Sequence, residues 1–402
     1  MNQELCKKVL ARWISRAGVP RTTAPRRWAA ALSVLVGLSL SALAENLDRI
    51  NLADPDPQNG FFDVSIEYDP TGVGWLSYSR VTVPGRVDTR IAKSLDQGAH
   101  WTHVATVNVS SRSTQKIHGK KPFWRYETSS LLFDPGDLPH RRWKLFVEKY
   151  PSVAPHKPRH NLHHLGWVEY KTAADPAGPW SDAVRLFGRP EDGARVPLAR
   201  LHPDLAGAVF CNEIGSLVDK GAIYLSLDVS PTPTGLGQWK DRRVILVSSP
   251  DHGETWAYVG ALTNYADAHH LGHRVLTGTS LVKEKGRFFL LATPAGALNP
   301  FEKIKGHNGV VVLEFEDLAR GRLKRDVRGN LIVYKTLRPT LPHGGGLSDY
   351  DEGNRRGGLL FCQFHLKGKP EFFRLFQTGE ALIDRAAALP GAIGEEQPSS
   401  AK

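Results

Sequence analysis

Three acidic residues stand where short apolar runs begin: Asp63 in NGFFDVSIEYD, Glu127 in FWRYETSSLLFD and Glu213 in CNEIGSLVD. Carboxylates gathered from such positions suit hydrolysis of a glycosidic bond. One acts as nucleophile or base, and a second, with a raised pKa, protonates the leaving oxygen. Polar and aromatic residues share these run starts and are the candidate substrate-binding groups: Trp124 and Arg125, Asn212, His273 and Arg274 in GHRVLTGTSLV, and His343 ahead of the glycine run at 344–346. Trp124 and Trp167 offer faces for a sugar ring, with packing inside the fold as the competing use. Two histidine groups stand out: His156, His160, His163 and His164, then His269, His270 and His273. Such spacings ligate a metal when a helix sets the rings on one face. Here Pro and Gly interrupt both segments, so neither a metal nor a cofactor is expected.

The elements that must position these groups are strands. Runs such as GWLSYSRV, RWKLFVEKY, AIYLSLDV, RRVILVSS, RFFLLATP and NGVVVLEF are short, β-branched or aromatic, and bounded by Gly, Pro and Asp. No long stretch has convincing helical periodicity, the region near 380–388 excepted. A repeat organises the runs. DQGAHW (96–101), DPAGPW (175–180) and DHGETW (251–256) each place a Trp five residues after an Asp, and the Asp positions lie 79 and 76 residues apart. A further 75 residues reaches Asp326 in DVRGNL, with Leu331 in the Trp place. This period predicts an all-β chain of four-stranded antiparallel blades arranged radially. Five blades fit the spacing, with six as the alternative. First strands are expected near 61–68, 127–134, 213–219, 275–283 and 344–350, and a segment near 46–53 is expected to complete the last blade. In each turn Gly supplies a positive φ, Asp accepts backbone hydrogen bonds, and Trp packs between blades. These residues are read as structural and not as catalytic.

SPDHGETW (249–256) resembles the Asp-box of sialidases and related propellers, Ser-x-Asp-x-Gly-x-Thr-Trp, at every fixed position, and SLDQGAHW (94–101) does so with His100 in the Thr place. DPAGPW is similar to the blade edge of five-bladed arabinanase- and invertase-type glycosidases. The combined resemblance covers most of residues 60–377 as a blade pattern. Similarity to the five-bladed furanosidases implies Asp63 as nucleophile or base, Glu127 as the pKa-tuning, sugar-binding acid, and Glu213 as general acid. The match departs at Asp63, which no Pro follows, and at Arg-Tyr-Glu (125–127), where invertases have Arg-Asp-Pro. The sialidase resemblance implies instead an exo-sialidase with three arginines on a carboxylate; Arg125, Arg274 and Arg355 could serve, with Tyr350 or Tyr126 as nucleophile. No Phe/Tyr-Arg-Ile-Pro segment opens the first blade. GHNG (306–309) is similar to a segment near the central ion of arabinanases. A non-catalytic propeller that binds a glycan or a protein is the reading from another class.

Residues 1–44 read as a secretory signal: a basic leader through Arg27, an apolar stretch (WAAALSVLVGLSL) too short for a comfortable span, and small residues before a cut after Ala44. The protein is therefore expected to be exported, to the periplasm or the medium, without a stable membrane span after cleavage. Without the leader, 45 basic and 40 acidic residues remain, a net +5. That excludes the concentrated positive stripe of a nucleic-acid binder. The expected partner is a carbohydrate, and the protein is expected to be a monomer. The domain plan is a signal peptide (1–44), one β-propeller (45–390) and a disordered tail (391–402). Cys211 and Cys362 could pair in an oxidising compartment or remain buried thiols.

Overall fold

The computed structural model describes residues 48–56, 60–82, 85–153, 161–231, 239–299, 306–337, 345–354, 358–364 and 373–383, all within one compact unit, Asn46–Lys402. The signal segment, the 391–402 tail, His156, His160, His343 and Arg355 lie outside the described residues, as does most of 380–388.

Five sheets form five blades, antiparallel except where Val196–Pro197 pairs with Val184–Gly188 and Leu52–Ala53 with Trp101–Asn108. Their innermost strands are Phe61–Tyr68, Phe123–Phe133, Phe210–Asp219, Val275–Glu284 and Gly345–Tyr350, the regions expected from the sequence. Each touches the innermost strands of both neighbouring blades, so the five close into a ring. Blade 5 draws three strands from the C-terminal part and takes its outermost, Asp48–Arg49, from the other end of the chain, antiparallel to Phe373–Gln377. Of the segment near 46–53, Asp48–Arg49 completes blade 5 as expected, whereas Leu52–Ala53 pairs in parallel with Trp101–Thr102 at the outer edge of blade 1. Joining the two ends of the chain in one sheet locks the ring without a covalent bond. The following segment is tied to blade 1, where Asp54 binds Tyr78 and Arg90 at 2.5 Å each and Asp56 pairs with Arg80. Among the described residues, no helix is long and apolar enough to cross a membrane.

The apolar core is divided among the seams between blades, one cluster per seam. The repeat explains its spacing here. Trp101 lies in the seam of blades 5 and 1, Trp180 in that of 1 and 2, Trp256 in that of 2 and 3, and Leu331 in that of 3 and 4. Leu382 and Ile383 fill the remaining seam. Three of the five seams receive a Trp ring at this position, fully buried at Trp101 and partly buried at Trp180 and Trp256, and a buried aromatic side chain removes roughly 150–250 Å² of surface from water. Trp101 opens the strand Trp101–Asn108, but Trp256 and Trp180 stand before theirs, which begin at Ala257 and Val184. The packing position, not the strand start, is what recurs.

In the 249–256 turn, Asp251 accepts from Thr255 N (2.8 Å) and Thr255 Oγ1 (2.6 Å), while Ser249 Oγ accepts from Gly253 N (2.7 Å). The 94–101 turn repeats this network, with His100 Nδ1 at 2.6 Å from Asp96 in the role of the Thr hydroxyl. These turns join third to fourth strands. By the up-and-down path of each blade they lie at the end of the ring opposite the starts of the innermost strands.

Candidate active site

Each innermost strand carries one extra residue relative to its partner, at the same level in every blade. The register skips between Phe62 and Ser65, Glu127 and Ser130, Asn212 and Gly215, Thr277 and Ser280, and Gly346 and Asp349. Such a bulge turns side chains that the strand's two-residue period would send elsewhere. The first bulge residue is left-handed in four blades: Asp63 (φ 52°), Thr128 (51°), Glu213 (55°) and Gly278 (53°). Three of these four are not glycine, and that conformation costs a residue with a Cβ about 1–2 kcal/mol. The same left-handed conformation thus recurs at one level of the axis in four blades.

Asp63 and Glu213 line one narrow axial cavity of about 20 Å³, together with Thr128, Ser129, Gly278, Thr279 and Ser348. That is room for one water-sized group, so anything larger would have to sit above this level, where the innermost strands begin. Asp63 Oδ2 accepts from Ser79 Oγ and from the Thr128 amide, both at 2.9 Å. Burial, then the Glu127 charge, nevertheless hold its pKa well above the carboxylate range. Glu213 is raised too, first by burial and then by Asp63, Asp228 and Glu148, with Arg242 opposing.

One residue ahead of the bulge, Glu127 and Asn212 stand directly across from Glu148 and Asp228 on the second strands. Glu127 forms an ion pair with Arg125, and Arg125 also reaches Asn161 at 3.1 Å. Glu148, 1% exposed, accepts from or donates to His163 Nδ1 at 2.7 Å. His163 lies against the Tyr150 ring, 3.9 Å between centroids, and burial lowers its pKa to about 4. Asp228 is fully buried, pairs with Arg242 and accepts from Thr277 Oγ1 at 2.6 Å. The structure therefore brings Asp63, Glu127 and Glu213 into one electrostatically coupled group and adds Glu148 and Asp228 to it. Asp63 and Glu213 are positional equivalents. Glu127 is not, because Thr128 takes the bulge position in blade 2.

The other sequence-selected residues divide. Arg125 and Asn212 belong to the group. Trp124 is partly buried and packs on Trp167 at 5.1 Å, and Trp167 is itself buried with Arg185 stacked on it at 3.8 Å. His273 is buried, whereas Arg274 is exposed beside Gly296. Tyr126 lies under the Lys149 ammonium at 5.1 Å. Tyr350 lines the opposite mouth with Glu67 and Glu352, remote from the acids. His269 and His270 correct the reading of their segment as purely irregular: they end a helix, Tyr265–His270, capped by Asn264, and both are exposed. No group of three His, Cys, Asp or Glu among the described residues could hold a metal ion. Cys211 is a buried free thiol.

No family model and no curated protein matches this sequence. Solved structures do match. The GH32 β-fructofuranosidase BmSUC1 of Bombyx mori aligns with 87% of the chain at 12% identity and TM-score 0.50, the chain spanning 66% of that enzyme, just under two thirds. An α-L-arabinofuranosidase from Lactobacillus brevis aligns with 81% of the chain at 12% identity and TM-score 0.50, with 92% of that enzyme covered. The chain has their fold. It is a five-bladed β-propeller of the kind found in glycoside hydrolases, and at this identity the likeness extends to architecture alone.

Proposed function

We propose that this protein is an exported glycoside hydrolase that cleaves a glycosidic bond with carboxyl groups at the axis of the ring. One observation carries the reading: Asp63 and Glu213 occupy the same left-handed bulge position in blades 1 and 3 and line one cavity. Burial raises the pKa of both, and it is their hydrogen-bond and charge partners that separate their roles. Two donors favour the charged form of Asp63, which suits a base or nucleophile. Glu213 has three acidic neighbours and one opposing cation, which suits a proton donor. Glu127, held by Arg125, orients the sugar and adds to the field on Asp63.

The arginine-clamp reading is weaker. Arg125 and Arg242 each already neutralise a carboxylate, and Arg274 is exposed beside Gly296. The test is a screen of chromogenic furanosides and pyranosides with the wild type and Glu213→Gln. Turnover by the wild type that the variant loses supports the proposal. Equal turnover removes Glu213 from its role, and no turnover on any glycoside favours a propeller that only binds glycans or proteins.

A further inference from the structure

We propose that the axial acid group takes a cationic sugar, one that carries a free protonated amine. This rests on the hydrolase reading for the place of binding and adds the charge of the substrate. Five carboxyl groups face one another here: Asp63, Glu127, Glu148, Glu213 and Asp228. Among the described residues, two guanidinium groups act on them, and both are engaged, Arg125 by Glu127 and Arg242 by Asp228. The nearby imidazoles do not redress the balance. Burial holds His163 at about 4, and burial together with Arg242 does the same to His307, so both are neutral at pH 7. Burial also keeps the Tyr150 phenol protonated. Three carboxyl groups, Asp63, Glu148 and Glu213, are left without a cation of their own.

Unpartnered buried polar atoms gather in the same place. Asp63 Oδ1, Glu148 Oε2, Glu213 Oε2 and Asn212 Oδ1 are buried acceptors that meet no donor among the described residues. Asp63, Glu148 and Asn212 are 4%, 1% and 3% exposed, and Asp63 looks into the axial cavity. Thr128 Oγ1 and Arg125 Nε also stand without a partner beside them, so the case for a donor-bearing ligand rests on the three carboxyl groups that lack a cation. Sugar hydroxyls bring donors without charge, a uronate brings more acceptors and a like charge, and an ammonium brings three donors with a full positive charge.

Proton linkage follows. Burial, reinforced by the neighbouring acids, raises Asp63, Glu148 and Glu213. An ammonium among them favours their charged forms, so its binding releases protons, and its affinity rises with pH until the free amine itself loses its proton, at about pH 7–8 by the order of an α-amino group.

Isothermal titration calorimetry on the full chain tests this. The probes are the methyl glycosides of 2-amino-2-deoxyglucose and 2-amino-2-deoxygalactose, their neutral parents, the matching uronates, and calcium chloride. The expected result at pH 7.5 is an amine bound about tenfold or more tighter than its parent, with a heat that varies with the ionisation enthalpy of the buffer. The gap narrows at pH 5, and the uronates do not bind. Glu148→Gln reduces the preference for the amine, and the buffer dependence in the wild type stands as evidence should that variant fail to fold. A neutral parent bound as tightly as the amine, no binding by either amine, or binding of calcium alone would overturn the proposal. Cleavage of neutral glycosides without amine preference would leave the hydrolase reading standing and remove this one. Amine binding without cleavage of any glycoside would do the reverse.

Discussion

Asp63 and Glu213 are the same residue of the repeat, two blades apart: each is the first, left-handed residue of a bulge, and each lines the axial cavity. The extra residue in the strand turns both toward the axis. The chemistry proposed here depends on that local distortion as much as on the two carboxyl groups.

The buried pair beside them sets a stability prediction. Arg242→Met leaves Asp228 fully buried without its cation, and loss of one partner of such a pair costs about 3–5 kcal/mol. Chemical denaturation should show that loss, and Arg242→Met with Asp228→Asn should recover part of it.

Blades 3 and 4 approach closely at Gly215, where a Cβ would lie 2.7 Å from Ser280 Cα and 2.8 Å from Thr279 O. Those are backbone atoms and cannot turn aside. Gly215→Ala is expected to destabilise the fold by about 1–3 kcal/mol, measured as a lower denaturation midpoint.

Asp349 closes the ring, accepting from the Ile66 amide at 2.7 Å across the seam of blades 5 and 1. Burial pushes its pKa up to about 7, against about 3.9 in an unfolded chain. The folded state therefore binds the extra proton, and this contribution to stability is full below about pH 4 and lost as pH rises through about 7. Asp349→Asn keeps an acceptor for Ile66 and cannot ionise. Thermal melts from pH 4 to 8 should show the wild type losing stability relative to the variant as pH rises.

The 249–256 turn should be separable from activity. Asp251→Ala removes the acceptor for Thr255 N and Oγ1 at the end of the ring away from the acids. It is expected to lower the melting temperature by a few degrees and leave turnover unchanged.

Much of this architecture was legible in the sequence. Alternating runs located the five innermost strands, because a half-buried strand must alternate. The Asp-to-Trp spacing measured the blade, because each seam needs one large apolar group. Asp63, Glu127 and Glu213 stood out as acids at run starts. The bulges did not, since nothing in the residue pattern reveals one extra residue, and so the equivalence of Asp63 with Thr128 instead of Glu127 was hidden. Glu148 and Asp228 were missed for a different reason. Each sits singly in an apolar second strand, LFVEKY and YLSLDV, and a lone acid there was itself the signal. Arg242, in a run of charged residues before a strand, reads as a surface group until Asp228 is seen beneath it.

The central claim is a division of labour between the two bulge acids, and kcat/KM for Asp63→Asn and Glu213→Gln tests it on glycosides whose leaving groups differ in acidity. A variant without its proton donor should lose about 10²–10⁴-fold on a poor leaving group and far less on a good one, whereas one without its nucleophile or base should lose activity on both. Glu213→Gln is predicted to show the first pattern and Asp63→Asn the second. Wild-type turnover from both variants, or the same loss by Glu213→Gln on every leaving group, would contradict the account.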